Sequence, residues 1–210
     1  MSADISRQTV YVIDDDEAVL DSLNVFLSTA GLKVKTFLDP LQFLALHDQS
    51  MSGCLILDIR MPSVSGLSLQ EELVAVGSML PVIFITGHGD VPTAVQAMKA
   101  GAFEFVEKPF SQQVLLDHIH RAFALDSQRR QTLDKQQQIR ERLKSLTPRE
   151  TEVLAQIVDG KATKVIAIDM NLSHRTVEIY RANIMQKMQS KSVAQLVKTL
   201  SDHHLSSGMA

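Results

Sequence analysis

The sequence has little cysteine, no long apolar run and no secretion-like N-terminus. Cys54 is the one cysteine among 210 residues, which excludes an internal disulfide and any metal site built from several thiolates. No stretch approaches the roughly 20 continuous apolar residues that a membrane-spanning helix needs. The first residues, MSADISRQ, are polar and lack the apolar core of a signal peptide. We therefore expect a cytoplasmic protein without a membrane partner.

Positive charge is scarce in the first half of the chain and negative charge is scarce in the second. Residues 1–125 contain 7 Lys and Arg against 15 Asp and Glu, a net charge of -8, whereas residues 142–200 contain 10 against 5, a net charge of +5. A length of 210 residues suits two small domains. Since basic segments are common where phosphate backbones are bound, the sequence predicts two domains with different partners.

Five short apolar runs recur in the first half, separated by segments with helical spacing. Gly31 and Gly101 follow two of these segments, as helix-ending glycines do. The alternation predicts an α/β domain with a doubly wound, five-stranded parallel sheet of order 2-1-3-4-5. The second run alternates polar and apolar residues, which is typical of an edge strand. The runs are TVYVID (9–14), LKVKTF (32–37), CLILD (54–58), PVIFIT (81–86) and FEFVE (103–107).

The second half carries helical signals and follows a polar segment. Residues 126–141, DSQRRQTLDKQQQIRE, have few apolar anchors and are interpreted as a helical linker. Thr147, Pro148 and Glu150 match a capping box with proline at the first helical position. Ser173 can cap a later, basic helix that follows a short helix and a tight turn. This arrangement predicts a helix-turn-helix in a second, smaller all-α domain.

Carboxylates follow two strands that should be neighbours in the sheet. Asp14 and Asp15 end the first run and Asp58 ends the third. The carboxyl ends of strands one and three flank the crevice in which such sheets bind ligands. Three converging carboxylates repel one another unless a divalent cation neutralises them, and such oxygen ligands suit Mg²⁺ or Mn²⁺. The sequence therefore predicts a metal site at this end of the sheet.

A hydroxyl and an ammonium belong to the same predicted crevice. Thr86 ends the fourth run, and Lys108 follows the fifth and precedes Pro109 in a bond that we expect to be cis at this sharp chain reversal. With Asp58 as acceptor and a bound cation, these groups suit transfer of a phosphoryl group to a carboxylate, because that reaction depends on positioning and on neutralising oxygens. No general base is needed, since an ionised carboxylate is already nucleophilic.

Several motifs, taken in order, resemble one family. The sequence is similar to a response-regulator receiver domain joined to a LuxR-type helix-turn-helix, the FixJ/NarL class of two-component transcription regulators, and most similar to its FixJ-like branch. The resemblance implies a receiver domain over 9–124, a helical linker over 125–141 and a DNA-binding domain over 142–207. The motifs are VIDDD, LDIRMPSVSG, FITGHGD, EKPF, LTPRETEVL and RTVEIYRANIMQKM.

The resemblance also implies a role for each group in the crevice. Asp58 would be phosphorylated by a sensor histidine kinase, and Lys108 would bind the phosphoryl group. Thr86 and Phe105 would be the switch pair. Phosphorylated receivers would form a homodimer that acts on promoter DNA and RNA polymerase, so we expect a regulator and not an enzyme. The implied ligands of Mg²⁺ or Mn²⁺ are Asp14, Asp15, Asp58 and the main-chain carbonyl of Arg60.

In similar DNA-binding domains, the helix that Ser173 caps enters the major groove. Glu178, Ile179 and Ala182 would then lie near base edges. One departure concerns residues 162–164, which read ATK where related domains more often have Asn before the Lys. The resemblance implies contacts near phosphates from Lys164, Arg181 and Lys187, and further DNA contacts from Ser173, Arg175 and Thr176.

Three other functions fit parts of the sequence. Asp14 and Asp16 after an apolar strand also match the aspartate-nucleophile phosphatases that use Mg²⁺, although Asp58 and the lack of a cap domain count against them. The first half could instead sense a small ligand, as in quorum-sensing regulators, but an apolar pocket has no use for three converging acids. The third alternative is a degenerate receiver on a constitutive DNA-binding protein.

His88, between two glycines, is interpreted as a solvated loop residue.

Overall fold

The computed structural model describes residues 8–87 and 91–202. It divides into two compact units, with the division between Gln131 and Thr132. His88 and residues 203–207 of the expected DNA-binding domain lie outside the described residues. Among the helices described, none is long and apolar enough to cross a membrane.

The first unit is built on a parallel sheet of order β2-β1-β3-β4-β5, which confirms the predicted doubly wound fold. The strand with alternating polarity, β2, is an edge strand, as predicted. The strands are β1 (Thr9–Ile13), β2 (Lys33–Phe37), β3 (Gly53–Leu57), β4 (Val82–Thr86) and β5 (Glu104–Glu107). The helices are α1 (Glu17–Thr29), α2 (Pro40–Leu46), α3 (Gly66–Ala75), α4 (Val91–Lys99) and α5 (Gln112–Lys144).

The sheet carries an apolar core on each face because successive strand residues point to opposite sides. Val10 and Val12 of β1 pack with α1 and α5, whereas Tyr11 and Ile13 pack with α2, α3 and α4. Two of the three interior strands, β3 and β4, are buried along their whole length. Cys54 on β3 is fully buried, and burial raises the pKa of its thiol. It serves as a small core residue.

In its described residues the second unit is all-helical. A capping box begins α6: the Thr147 N–H donates to Oε2 of Glu150 at 2.8 Å, and the Glu150 N–H donates to Oγ1 of Thr147 at 3.3 Å. Ser173 is the N-cap of α8. The helices pack around one apolar core. They are α6 (Pro148–Val158), α7 (Thr163–Asp169), α8 (His174–Lys187) and α9 (Val193–Asp202).

The helix α5 contributes residues to both units. Leu115 and Ile119 near its start are buried against the sheet. Ile139 near its end is buried among the helices of the second unit, with Leu143 packed beside it. Ile139 and Leu143 thus belong to a globular core.

Part of the segment interpreted as a linker belongs to the first unit. Asp126 is fully buried. Its Oδ2 atom accepts hydrogen bonds from the Ser52 hydroxyl at 2.7 Å and the Gly53 N–H at 3.0 Å. Arg130 donates to Oδ1 of Asp126 at 2.9 Å and to the carbonyl oxygen of Met51. This polar network fixes α5, through Asp126 and Arg130, to the end of the sheet at which β3 begins.

Candidate functional site

Two acidic side chains lie side by side where β1 and β3 end. Ile13 pairs with Leu57 at the ends of these adjacent strands, so Asp14 and Asp58 leave the sheet at the same edge. Asp14 is 5% exposed and Asp58 is 9% exposed. Asp15 is exposed. The structure thus brings two of the three predicted carboxylates together in a buried position and leaves the third at the surface.

The ammonium of Lys108 lies between these carboxylates. Its Nζ atom donates to Oδ2 of Asp14 at 3.0 Å and to Oδ1 of Asp58 at 3.5 Å. The Lys108 N–H donates to the carbonyl oxygen of Thr86 at 2.8 Å and so continues the β4–β5 pairing up to the site. The bond between Lys108 and Pro109 is cis, as expected. The end of β5 therefore supplies the counter-charge of the two acids.

Backbone N–H groups bind the remaining carboxylate oxygens. The Asp16 N–H donates to Oδ1 of Asp14 at 3.0 Å, and the Arg60 N–H donates to Oδ2 of Asp58 at 2.7 Å. Burial raises the pKa of Asp58, and the charge of Asp14 adds to this. The Arg60 hydrogen bond and the Lys108 ammonium lower it only in part. The ionised Asp58 carboxylate is therefore destabilised and gains from any added positive charge.

Gly66 holds the chain close behind Asp58, and this role was not deduced from the sequence. Its N–H donates to the carbonyl oxygen of Ile59 at 2.9 Å. A Cβ atom at this position would lie 2.1 Å from the carbonyl oxygen of Asp58 and 3.0 Å from the ring of Phe84. The signal was the glycine that ends LDIRMPSVSG and begins α3. Glycine is required here because of the close backbone approach.

The two predicted switch residues lie on one face of the sheet. Thr86 ends β4 and is 2% exposed. It shares a face with Phe84, two residues earlier, and Phe84 pairs with Phe105 on β5. The half-buried Phe105 packs against the core that this face covers.

No ready-made three-ligand metal site exists within residues 8–87 and 91–202: no group of three His, Cys, Asp or Glu side chains there could hold an ion together. Lys108 occupies the position between Asp14 and Asp58 instead. The donor set still fits a hard cation, because two buried carboxylates and the neighbouring Asp15 offer oxygen ligands. Mg²⁺ is such a cation, and these residues are compatible with it.

Asp16 serves the start of α1. Its side chain accepts a hydrogen bond from the Ala18 N–H at 2.9 Å as the N-cap of that helix. A capping carboxylate stabilises the helix. This arrangement counts against Asp16 as the second catalytic acid of the phosphatase alternative.

The predicted DNA-contacting residues lie on and beside α8. The Ser173 hydroxyl accepts a hydrogen bond from the Thr176 N–H at 3.0 Å. Val177 and Ile184 bury one side of α8 in the core, and the side that carries Ile179 is open, since that side chain is 53% exposed. Of the predicted residues, Lys164, Ser173, Arg175, Glu178, Ile179 and Ala182 are exposed, whereas Thr176, Arg181 and Lys187 are half-buried.

Lys187 differs from the other predicted contacts because its ammonium has partners inside the unit. Its Nζ atom lies 2.6 Å from Oε2 of Glu150 and donates to the carbonyl oxygen of Ser145 at 3.1 Å. This arrangement is not visible in the sequence, since Lys187 lies 37 residues after Glu150 and 42 residues after Ser145.

Two family models match the chain, and they cover both units. The response regulator receiver domain matches residues 10–120. The luxR family of bacterial regulatory proteins matches residues 144–200.

Curated relatives and a solved structure resemble nearly the whole chain. The response regulator protein TodT of Pseudomonas putida is 42% identical over 189 residues, which are 90% of this chain and 83% of the relative. The transcriptional regulatory protein FixJ of Rhizobium meliloti is 44% identical over 190 residues, 90% of this chain and 93% of the relative. The structure of the response regulator StyR is 43% identical, with a TM-score of 0.86 over 93% of this chain and 99% of that chain.

These similarities agree with the fold, the acidic crevice and the helix-turn-helix. The relatives are named a response regulator and a transcriptional regulatory protein. The chain belongs to the FixJ-like response regulators, the two-component proteins in which phosphorylation of a receiver domain controls transcription through a LuxR-type DNA-binding domain.

Proposed function

We propose that Asp58 is the phosphoryl acceptor, that a sensor histidine kinase supplies the phosphoryl group, and that phosphorylation controls the binding of α8 to promoter DNA. The observation that carries the proposal is the geometry around Asp58. A buried carboxylate with a raised pKa lies 3.5 Å from the Lys108 ammonium and beside a second buried acid. Such a group is nucleophilic when ionised, and the phosphoryl group that it accepts brings additional negative charge, which the Lys108 ammonium and a bound cation would neutralise.

The transfer needs little beyond positioning. A carboxylate oxygen of Asp58 attacks the phosphorus of the donor phosphohistidine, the new O–P bond forms as the P–N bond breaks, and the departing imidazole nitrogen keeps the electron pair. Lys108 then pairs with a phosphoryl oxygen, and the hydroxyl of Thr86 donates to another. Phe105, on the same face of the sheet, follows the movement of Thr86 and changes the surface that α4 and β5 present.

A divalent cation belongs to this proposal. Asp14, Asp15 and Asp58, with the main-chain carbonyl of Arg60, would hold Mg²⁺ or Mn²⁺. When bound, the cation supplies positive charge that neutralises the phosphoryl oxygens.

The second unit is proposed to read DNA with α8 in the major groove. Glu178, Ile179 and Ala182 are exposed on this helix and would then lie near base edges. Lys164 and Arg181 bind phosphates, and Ser173, Arg175 and Thr176 bind near the start of the helix. The phosphorylated chain forms a homodimer, acts in the cytoplasm and communicates with RNA polymerase. A receiver domain of 9–124, a linker of 125–141 and a DNA-binding domain of 142–207 complete the proposal.

The test is intact mass and sedimentation of the full chain with and without acetyl phosphate and Mg²⁺. We expect the wild type to gain one phosphoryl group and to form dimers, and Asp58→Asn to do neither. Asp21→Asn is the matched control, because Asp21 is an exposed carboxylate on α1. Normal phosphorylation of Asp58→Asn would refute the acceptor assignment, and a phosphorylated wild type that stays monomeric would refute the dimer.

A further inference from the structure

Three segments of the second unit meet at the C-terminal end of α8. Lys187 is the last residue of this helix. Its ammonium lies 2.6 Å from the carboxylate of Glu150, in the first turn of α6, and 3.1 Å from the carbonyl oxygen of Ser145, in the connection between α5 and α6. One side chain thus ties α8 to two other parts of the unit.

Glu150 depends on this contact. Its side chain is 4% exposed, so its charge is removed from water. The same Oε2 atom that contacts Lys187 also accepts the Thr147 N–H of the capping box. A buried carboxylate that loses its counter-charge is strongly destabilised, because no solvent replaces the lost partner. The hydrogen bond from Lys187 accordingly holds the pKa of Glu150 below its ordinary value.

The contact also restricts α8 in a way that its apolar packing does not. Val177, Ile184 and Met188 bury the inner side of the helix end to end. Apolar contacts are non-directional, whereas the two hydrogen bonds of Lys187 require its Nζ atom to stay within bonding distance of both acceptor oxygens. Because a helix moves as one body, fixing its last residue also fixes Glu178 and Ile179 near its start.

We propose that Glu150 and Lys187 are positioning residues for DNA recognition, and that Lys187 sets the placement of α8 instead of contacting a DNA phosphate. The proposal rests on the proposed DNA-binding role of α8. It reassigns one residue of the sequence-based contact set from the DNA backbone to the interior of the unit.

The two roles of Lys187 predict different DNA-binding behaviour. A lysine that contacts a phosphate weakens binding to all sequences when it is replaced, and it lowers the salt slope by about 0.9. A positioning lysine leaves that slope unchanged and lowers the preference for the specific sequence. The experiment uses the full chain after treatment with acetyl phosphate and Mg²⁺. The wild type first selects a preferred duplex from a random pool, and affinities for that duplex and a scrambled duplex are then measured over a range of salt concentrations.

We expect Lys187→Gln to lower the ratio of the two affinities on the order of tenfold while keeping the wild-type salt slope. Lys187→Arg, which retains a cation for Glu150, should keep most of the ratio. Lys164→Gln is the matched phosphate control and should lower the slope with little effect on the ratio. A Lys187→Gln slope that falls like that of Lys164→Gln, with an unchanged ratio, would overturn the proposal.

A second variant separates position from charge. Glu150→Gln retains an acceptor for the capping box and makes the unit more positive. If Lys187 contacted a DNA phosphate, its release from Glu150 would strengthen DNA binding. The positioning role predicts a lower affinity ratio instead. Glu152→Gln is the control, since Glu152 makes an exposed pair with Arg149 on the same helix, 2.8 Å apart, and its loss alters the charge equally.

The wild-type measurement separates a failure of the proposed DNA-binding role from a failure of the positioning role. A wild type that selects no duplex would overturn the DNA-binding role itself and the positioning role with it. A wild type that selects a duplex, together with a Glu150→Gln chain that keeps the full affinity ratio, would overturn only the positioning role. Thermal unfolding of each variant in the same buffer confirms that the second unit is folded at the temperature of the measurements.

Discussion

Lys108 and Asp14 form the direct ion pair of the acidic crevice, with Nζ of the lysine 3.0 Å from Oδ2 of the aspartate. Asp58 lies 3.5 Å from the same ammonium on its other side. The acidic cluster therefore has an internal counter-charge before any ligand arrives. A cation or a phosphoryl group must change this arrangement, which gives several expectations that can be measured.

Replacing Asp58 should stabilise the unphosphorylated protein at neutral pH. The folded pKa of Asp58 is raised above 3.8, chiefly by burial. As the pH rises above 3.8, the unfolded chain loses its proton first, so the folded state is progressively destabilised until the pH exceeds the raised folded pKa, and the destabilisation remains constant above that value. We expect Asp58→Asn to unfold a few degrees higher than the wild type at pH 7. The difference should disappear below the ordinary aspartate pKa, and an equal or lower midpoint at pH 7 would contradict the burial argument.

Removing the Lys108 ammonium should make the thermal stability of the first unit depend more strongly on a bound cation. Lys108→Met leaves two buried carboxylates without their shared counter-charge, so the midpoint of thermal unfolding should fall at neutral pH. A bound cation can replace that charge, and binding to the folded state raises the midpoint. We expect Mg²⁺ to raise the midpoint of Lys108→Met by more than that of the wild type. Equal shifts in both proteins would place the cation away from Asp14 and Asp58.

Adding one methyl group at Gly66 should disturb Asp58 directly. The new Cβ would lie 2.1 Å from the Asp58 carbonyl oxygen, so the backbone must move. We expect Gly66→Ala to cost about 1–3 kcal/mol of stability and to slow phosphorylation by acetyl phosphate. Gly87→Ala is the control, since a Cβ there meets no atom of the described residues within 4 Å. Denaturant unfolding and phosphorylation rates would show whether only Gly66→Ala is affected.

The second unit should lose stability in acid through Glu150. The folded pKa of this group is lowered from 4.5, first by the Lys187 hydrogen bond. Its stabilisation is therefore complete above 4.5 and is lost as the pH falls through the lower folded value. Hydrogen exchange of α6 and α8 should show opening that increases below about pH 4.5. The Glu150→Gln variant should show a weaker dependence over this range, and an unchanged dependence would exclude the pair as its source.

The buried Asp126 should contribute strongly to the stability of the first unit, although its neighbours in the sequence are polar. Asp126→Ala leaves Arg130 and the Gly53 N–H without this partner, and breaking a buried pair costs on the order of 3 kcal/mol. We expect faster hydrogen exchange in α5 around residues 126–131 and a lower unfolding midpoint of the first unit. Asp117→Ala is the control because Asp117 is exposed on the same helix. Similar effects of both changes would argue against the network.

The sheet and its order could be predicted because the information is local and repeated. Each strand shows an apolar run, and the alternation of polar and apolar residues in β2 indicates its position at the edge of the sheet. Asp14 and Asp58 could be placed together because parallel strands end at the same edge of a sheet. Thr86 was placed at that edge by the same reasoning.

The features that could not be predicted involve side chains that meet across long stretches of chain. Asp126 stands in a run of polar residues, and the pattern does not show that Ser52 and Gly53 lie beside it. The pairing of Lys187 with Glu150 depends on how α6 and α8 pack, which helix periodicity leaves undetermined. Glycine is required at position 66 because the carbonyl oxygen of Asp58 leaves no room for a Cβ atom, and this close contact is visible only in the three-dimensional structure.

The burial of Cys54 makes this protein suitable for chemical labelling at a single introduced cysteine. The thiolate is the reactive form of cysteine, and a fully enclosed thiol with a raised pKa hardly forms it. A cysteine introduced at an exposed position such as Val95 on α4 or Ile168 on α7 would react alone, without removal of the native thiol. A fluorophore or spin label could then follow receiver pairing or DNA docking in an otherwise unaltered protein.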